Sequence, residues 1–137
     1  VERTTQQDDL TASHVLSKAE ILEMRETARA VAVAQPVMQY AIALALATHP
    51  ESSEGHDLAK RYVRFGSSPR GVQSLILGAK VNALLNDRFY VSVEDVKAVV
   101  MPALRHRVLI NFEAEAEKVD SDQILEEIVR FVSLPKT

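Results

Sequence analysis

A binding site for an anion at the start of a helix is indicated by five consecutive residues, Gly66, Ser67, Ser68, Pro69 and Arg70, which we call the Arg70 turn. Ser68 can cap the first helical turn with its hydroxyl group, and Pro69 suits the first helical position, so Arg70 takes the second. The amide hydrogens of a first turn already carry partial positive charge, so a guanidinium among them is locally unfavourable. A bound anion would relieve this, because it would accept hydrogen bonds from the amides and from Arg70.

No acidic residue close in the sequence neutralises Arg70. Gln73 and Ser74 lie three and four positions later, so an ion pair along the helix is not available. Residues 58–86 contain no Asp or Glu and have a formal charge of +5, whereas the rest of the chain sums to −8 and the total is −3. The five cations are Lys60, Arg61, Arg64, Arg70 and Lys80.

This charge asymmetry favours a local contact with a polyanion over general affinity for nucleic acid, which is typical of domains that are basic as a whole. The alternative is a solvated basic face that balances acidic neighbours in the fold. Four aromatic residues near the cations could form a base-stacking platform, but an aromatic content of 5% favours core packing. They are Tyr62, Phe65, Phe89 and Tyr90.

Other kinds of catalytic site are not indicated. The sequence has no GxxxxGK[ST] loop for phosphates and no apolar strand ending in paired acids for magnesium, so this chain is not expected to hydrolyse a nucleotide alone. The four histidines lack the spacing of metal ligands, and we predict no metal site. Glu113, Glu115 and Glu117 alternate in a polar segment and are interpreted as a solvated acidic edge.

Composition limits the size and setting of the domain. A chain of 137 residues, 47% of them hydrophobic, can form one domain with its own core. The absence of cysteine excludes disulfides and is compatible with a reducing cytoplasm. The most apolar run, residues 40–47, is less than half of the ~20 residues that a membrane span needs. Because the first nine residues are almost all polar and follow no initiator methionine, residues 1–14 are predicted to be a linker and residues 15–135 the folded domain.

Five helices in an all-α bundle are predicted to position these residues. They begin at Ser17, Pro36, Pro69, Ser92, and Asp120 or Ser121. The first is predicted to be an amphipathic outer helix, and the second, which is apolar on nearly all faces, to be the buried centre of the bundle. We predict that Pro102 kinks or ends the fourth helix and that Pro135 ends the last.

The helix that starts at Pro69 is predicted to reach about Asn86 and to have two apolar faces. The first face consists of Val72, Leu75, Ile76, Ala79 and Ala83, and the opposite face of Leu77, Val81, Leu84 and Leu85. At 100° per residue, Arg70 falls on the second face. Either this helix is sandwiched inside the bundle, or its Arg70 face docks on another domain.

Two connecting segments complete the prediction. Residues 49–66 contain Pro50 and two glycines, and their first half is predicted to be a mobile loop. The short apolar runs 89–91 and 107–110 are predicted to be extended and to pair as a minor two-stranded ribbon.

Three segments of the chain together resemble the C-terminal helical lid of MoxR-type AAA+ ATPases. They are residues 62–71 (YVRFGSSPRG), 87–98 (DRFYVSVEDVKA) and 104–107 (LRHR). Residues 15–20 and 31–33 are similar to the entry into that lid, so the resemblance covers nearly the whole chain.

The resemblance implies a function for the Arg70 turn. In that family the Gly-x-Ser-Pro-Arg turn is the sensor 2 motif, which implies that Arg70 is a catalytic arginine of the parent ATPase. It also implies that Gly66, Ser67, Ser68, Pro69 and Arg70 contact the phosphates of ATP, bound with Mg²⁺ by an adjoining core. Further implications are a chaperone-like ATPase of the cytoplasm, neighbouring subunits in a hexameric ring, and a protein substrate that is remodelled.

The chain departs from the family pattern at two positions. Gly71 stands where alanine is common, which loosens the helix start by up to ~1 kcal/mol. His49, after Thr48, stands where arginine is common, so a contact that the family makes through that arginine is not carried over.

Two alternatives belong to other functional classes. A stand-alone helical adaptor would recognise a protein partner through the second face of the helix after Pro69. A small nucleic-acid-binding domain would use the cations of residues 58–86, and its binding would depend steeply on salt concentration.

Overall fold

The computed structural model describes residues 13–134, which form seven helices and one two-stranded antiparallel ribbon. The elements are α1 (Lys18–Ala30), α2 (Gln35–Ala47), α3 (Asp57–Tyr62), β1 (Val63–Phe65), α4 (Pro69–Leu85), α5 (Val93–Leu104), β2 (Leu109–Ile110), α6 (Phe112–Glu117) and α7 (Ser121–Phe131). The mostly helical fold class is confirmed. The two short helices, α3 and α6, lie where the sequence predicted a connecting segment and an acidic edge. Most of the predicted linker, residues 1–12, lies outside the described residues.

The helix starts follow the local rules that predicted them. Ser17 and Ser92 form capping boxes with Glu20 and Asp95, and Asp120 forms the third with Gln123. Pro102 does not end α5, which continues to Leu104. α7 ends at Phe131, and Pro135 lies outside the part of the chain that the structure describes.

The core forms where α4 and α5 pack along each other and α2 and α7 cover them. Its large, fully buried side chains come from all four helices. They are Tyr40 and Leu44 of α2, Leu75 of α4, Val96, Val100 and Leu104 of α5, and Ile124, Leu125 and Ile128 of α7. This packing fixes α4, and therefore the Arg70 turn at its start, against the rest of the domain.

A buried carboxylate joins α4 to α5. The side chain of Asp95 is 1% exposed and accepts two hydrogen bonds from the Arg88 guanidinium, at 2.6 and 2.7 Å. It also accepts bonds from Asn82 of α4 and from the amide and hydroxyl of Ser92. These bonds, with Arg88 contributing most, hold the pKa of Asp95 far below its usual range despite burial.

Two helices are less buried than their apolar residues predicted. α2 is not covered on all faces, since Ile42 and Leu46 remain 41% and 37% exposed. α1 is an outer helix as predicted, but Ile21 and Met24 of its apolar stripe are also exposed, and none of its residues is buried. An apolar pattern predicts which face can be buried, not whether this chain supplies the covering element.

The ribbon exists, but its predicted partner was wrong. β2 pairs with β1, with Val63 opposite Ile110 and Phe65 opposite Leu109. The segment around Tyr90 instead forms an isolated parallel bridge with Ala32. Short apolar runs do not specify their partners, and here α3 leads directly into β1 and brings it beside β2.

No helix within residues 13–134 is long and apolar enough to cross a membrane.

Candidate anion-binding site at the Arg70 turn

The Arg70 turn lies at the start of α4 as predicted, but its hydroxyl cap is absent. Ser68 occupies the N-cap position with φ −64° and ψ 168°, yet its side chain makes no capping hydrogen bond. The turn is closed by its backbone, since the carbonyl of Ser68 accepts a 2.7 Å bond from the amide of Gly71. The Ser68 hydroxyl therefore does not occupy the first-turn amides, which is favourable for binding an anion.

The guanidinium of Arg70 meets no acidic group in the described part of the chain. Its side chain is exposed, and none of the hydrogen bonds or ion pairs within residues 13–134 includes it. The backbone carbonyl of Arg70 accepts a bond from the Ser74 hydroxyl at 3.0 Å. The side chain is thus available to a ligand or to another domain.

Most other cations of residues 58–86 have partners in the fold. Arg61 donates to Glu113 and Glu117 at 2.6 Å each, so two members of the predicted acidic edge hold α3 to α6. Lys60 lies 3.8 Å from Asp57, and Lys80 donates to the carbonyl of Arg29 at 2.6 Å.

The alternative of a basic face that balances acidic neighbours in the fold therefore explains part of the positive charge of residues 58–86. Of the five cations, Arg64 and Arg70 lack an acidic or carbonyl partner among residues 13–134, and the Arg64 guanidinium lies 5.3 Å from the centre of the Phe65 ring. Arg70 is the one that lies at a helix start.

Thr48 and His49, which directly follow α2, form hydrogen bonds with the buried residue of the Arg70 turn, Ser67. The Ser67 amide donates to the hydroxyl of Thr48 at 2.8 Å, and that hydroxyl donates to the Ala45 carbonyl at 2.6 Å. The Ser67 carbonyl lies 2.9 Å from Nε2 of His49. Both the amide and the carbonyl of Ser67 are therefore bound, and Ser67 and Thr48 are buried.

The two glycines that flank this contact allow close approach. A Cβ atom at Gly66 would lie 2.7 Å from the Thr48 carbonyl oxygen and 2.8 Å from Cγ of His49. A Cβ atom at Gly71 would lie 1.9 Å from the Ser67 hydroxyl oxygen. The glycine that departs from the family pattern therefore makes room for the observed position of the Ser67 side chain.

His49 also contacts Glu51, because its Nδ1 lies 2.9 Å from the Glu51 carboxylate. Burial disfavours the charged imidazole, but the hydrogen bonds to Glu51 and to the Ser67 carbonyl outweigh it and raise the pKa of His49. The bond to His49 lowers the pKa of Glu51 in turn. In the sequence His49 is notable only as a departure from the family pattern, because the residue that it contacts in the turn lies 18 positions away.

An apolar groove of about 600 Å³ runs between α2 and α4 and ends at the Arg70 turn. Its lining includes Met38, Ile42, Leu46, Val72, Ile76 and Leu77, with His49, Ser67 and Pro69 at the end. On the second face of α4, Leu77, Val81 and Leu85 are 50%, 45% and 79% exposed. The sandwiched alternative for this helix is therefore wrong, and its Arg70 face is open in the described structure.

Metal-binding residues do not cluster in the described residues, where no group of three or more His, Asp or Glu side chains could hold an ion. His56 serves a structural purpose, since its Nδ1 accepts the Leu58 amide at the start of α3.

Replacement of Thr48 by valine tests the support of the turn. We expect Thr48→Val to lower the free energy of unfolding by about 1–3 kcal/mol, because the buried Ser67 amide loses its acceptor. Chemical denaturation measures this change. The control is Thr27→Val on exposed α1, whose hydroxyl bonds only to the Glu23 carbonyl, with an expected change within about 0.5 kcal/mol. Equal changes in the two variants would contradict the assigned role of Thr48.

Comparison with known proteins gives a consistent result. The family model of the AAA lid domain matches residues 56–128. The chaperone MoxR1 of Mycobacterium tuberculosis is 30% identical over 91% of this chain and 33% of its own length. The MoxR protein of Paracoccus denitrificans is 43% identical over 42% of this chain and 17% of its own length.

A solved structure is similar over almost the whole chain. It is that of a proposed ATPase from Cytophaga hutchinsonii, with a TM-score of 0.84 and 33% identity, covering 98% of this chain and 41% of that one. The chain thus spans between a third and about two fifths of the length of MoxR1 and of this ATPase. The resemblance noted in the sequence is confirmed.

Proposed function

We propose that this chain, which belongs to the AAA lid domain family, is the nucleotide-sensing lid of a MoxR-type AAA+ ATPase. In this proposal Arg70 is the sensor 2 arginine, and residues 66–70 contact the phosphates of ATP bound by an adjoining core. The observation that carries the proposal is an exposed guanidinium at the start of a helix, without an acidic partner among residues 13–134, on a turn held from behind by buried Thr48.

The donors of the Arg70 turn fit a phosphate. A guanidinium offers two parallel N–H donors to a pair of phosphate oxygens. Pro69 has no N–H and the Gly71 amide is bound to the Ser68 carbonyl, so the Arg70 amide adds one further donor, and the helix start adds a favourable dipole. Magnesium bound with ATP would neutralise charge on the β- and γ-phosphates, and its ligands would come from the core, since this chain has no phosphate loop. In this proposal the lid orients and stabilises the γ-phosphate from one side.

This contact can couple hydrolysis to movement. The lid would bind the core more tightly while a γ-phosphate holds Arg70, and loss of the phosphate would remove that anchor. The open apolar face of α4, on the same side as Arg70, supplies a surface that a core domain can cover. We propose that this movement, in a ring of neighbouring subunits, drives the remodelling of a protein substrate.

A stand-alone adaptor remains the second candidate because the same α4 face is exposed. The gene sequence upstream of Val1 separates the two, since a core with a phosphate loop supports the ATPase lid. The nucleic-acid alternative is less favoured, because three of the five cations have partners in the fold.

Nucleotide affinity in the complete polypeptide tests the sensor assignment. Arg70→Ala is expected to weaken binding of a slowly hydrolysed ATP analogue by roughly 10-fold to 150-fold, which corresponds to a charged hydrogen bond of about 1.5–3 kcal/mol. Affinity for ADP should change little, because ADP lacks the γ-phosphate. Arg64→Ala is the matched control, and fluorescence titration measures all three proteins. An equal loss for ADP and the analogue would show that Arg70 does not recognise the γ-phosphate.

A further inference from the structure

We infer that His49 is a positioning residue, whose protonated ring holds the Arg70 turn in the conformation that presents Arg70 to a phosphate. The inference rests on the proposed function for its consequence in nucleotide binding. The contact of His49 with the turn stands independently of that function.

Each ring nitrogen of His49 faces a group that can accept a hydrogen bond but cannot donate one. Nε2 lies 2.9 Å from the backbone carbonyl of Ser67, and Nδ1 lies 2.9 Å from the carboxylate of Glu51. A neutral imidazole has one N–H donor and one acceptor, so it can satisfy only one of these contacts. The charged carboxylate of Glu51 is the stronger acceptor, so the single proton stays on Nδ1 and the bond from Nε2 to the Ser67 carbonyl is the one that is lost. An imidazolium has two donors and satisfies both. The geometry therefore matches the protonated ring.

The residue that His49 binds is next to the helix start. Ser67 is 2% exposed and precedes the N-cap residue Ser68. Thr48 binds its amide and His49 its carbonyl, so the two bonds fix the orientation of both peptide groups of Ser67. Loss of the second bond frees the peptide group that joins Ser67 to Ser68, and with it the direction of the first-turn amides and of Arg70.

The charged surroundings of His49 determine the direction of the pH effect. Glu51 faces the ring from the same loop, and the turn presents the Ser67 carbonyl. Across the groove, α4 presents the uncharged Gln73, Ile76 and Leu77, and α2 presents apolar side chains. Arg70 forms no ion pair with Glu51 or with another acid within residues 13–134.

These contacts determine whether the contribution of His49 is lost at high or at low pH. Since the pKa of His49 is raised above its ordinary value of 6.5, its contribution is complete below pH 6.5 and is lost as the pH rises through the raised pKa. The pKa of Glu51 is lowered from 4.5, so the contact persists on the acid side until the pH falls below that value. An arginine at position 49 would remain a donor throughout this range. A histidine at this position therefore makes the contact with the Arg70 turn dependent on pH.

The experiment measures the affinity of the complete polypeptide for a slowly hydrolysed ATP analogue between pH 5.5 and 9. For the wild type we expect affinity to fall about threefold to tenfold as the pH rises through the transition of His49. His49→Arg should abolish this dependence, and Glu51→Gln should shift it to lower pH. His106→Gln, which changes an exposed histidine, is the matched control and should behave like the wild type.

Hydrogen exchange, followed by mass spectrometry without nucleotide, gives a readout independent of ATP. Protection of the peptide covering residues 63–71, corrected for intrinsic exchange, should decrease above the same transition in the wild type but not in His49→Arg. His49→Gln, which keeps a neutral donor for the Ser67 carbonyl, should also show constant protection, so the test does not depend on one variant folding well.

The outcomes separate this inference from the proposed function. Constant protection in the wild type from pH 6 to 9, or an unchanged pH dependence in His49→Arg, would overturn the inference even if Arg70→Ala lowers analogue affinity. Protection that titrates with His49, in a protein whose analogue affinity is unaffected by Arg70→Ala, would support the positioning of the turn and contradict the sensor assignment.

Discussion

Replacement of Arg70 by alanine is expected to lower ATP turnover by the complete polypeptide by up to about 10³-fold, as for arginines that stabilise a transferring phosphoryl group. In the proposed role the guanidinium would stabilise charge on the equatorial oxygens of the γ-phosphate, and among residues 13–134 no other cation lies at this helix start. Steady-state ATP hydrolysis at saturating ATP measures the effect.

The same substitution should leave the domain folded, which separates chemistry from stability. Arg70 is exposed and has no side-chain partner among the described residues, so its removal should change the free energy of unfolding by less than about 0.5 kcal/mol. It also removes an unfavourable charge from the start of α4.

Two further variants refine the test of Arg70. Arg70→Lys keeps the charge without the two-pronged donor geometry and should lose part of the turnover. Arg64→Ala removes a cation of the same segment and should retain most of it. Unchanged turnover in Arg70→Ala, or an equal loss in Arg64→Ala, would contradict the sensor 2 assignment.

Arg88→Ala is expected to have the largest effect on stability, lowering the free energy of unfolding by about 3–5 kcal/mol. The substitution leaves the carboxylate of Asp95, 1% exposed, without its strongest partner. Asn82 and Ser92 still donate to it but bring no positive charge. Chemical denaturation measures the loss, and Arg105→Ala, which breaks the exposed pair with Asp122, should cost at most about 1 kcal/mol.

The buried pair also determines the response to acid. Because the pKa of Asp95 is lowered from 3.8, its stabilisation is present above that value and is lost as the pH falls below it. In Arg88→Ala the pKa of Asp95 should rise toward its value in the unfolded chain, so the loss of stability on acidification should be smaller than in the wild type. The double variant Arg88→Ala, Asp95→Ala should be less destabilised than the two single changes together. Additive changes would show that the two residues do not act as a pair.

The local role of Asp95 in the first turn of α5 follows from the sequence, but its burial and its ion pair do not. An acid in the first turn of α5 is favourable beside the helix dipole, and the capping box with Ser92 follows from spacing alone. The pairing with Arg88 was not predicted, because it depends on the path of the chain between α4 and α5. The short sequence separation of seven residues was a signal that could have been used.

Local features were determined by the sequence. The starts of α1, α4, α5 and α7 follow from Ser17, Pro69, Ser92 and Asp120, because caps and prolines act through hydrogen bonds and dihedral angles within a few residues. For the same reason, residues 66–70 alone were enough to predict that Arg70 lies in the first turn of a helix, where its charge is unfavourable beside the helix dipole.

Only the tertiary structure decided which groups meet across the chain. In the folded chain Arg61 pairs with the acids of α6, whereas Arg70 has no acidic partner among residues 13–134. β2 pairs with β1, and the amide and carbonyl of Ser67 bind Thr48 and His49. Each of these contacts joins residues at least 18 positions apart. Their partners are selected by the packing of whole helices, in which burial and the satisfaction of buried polar groups are shared by many residues, so no local pattern specifies them.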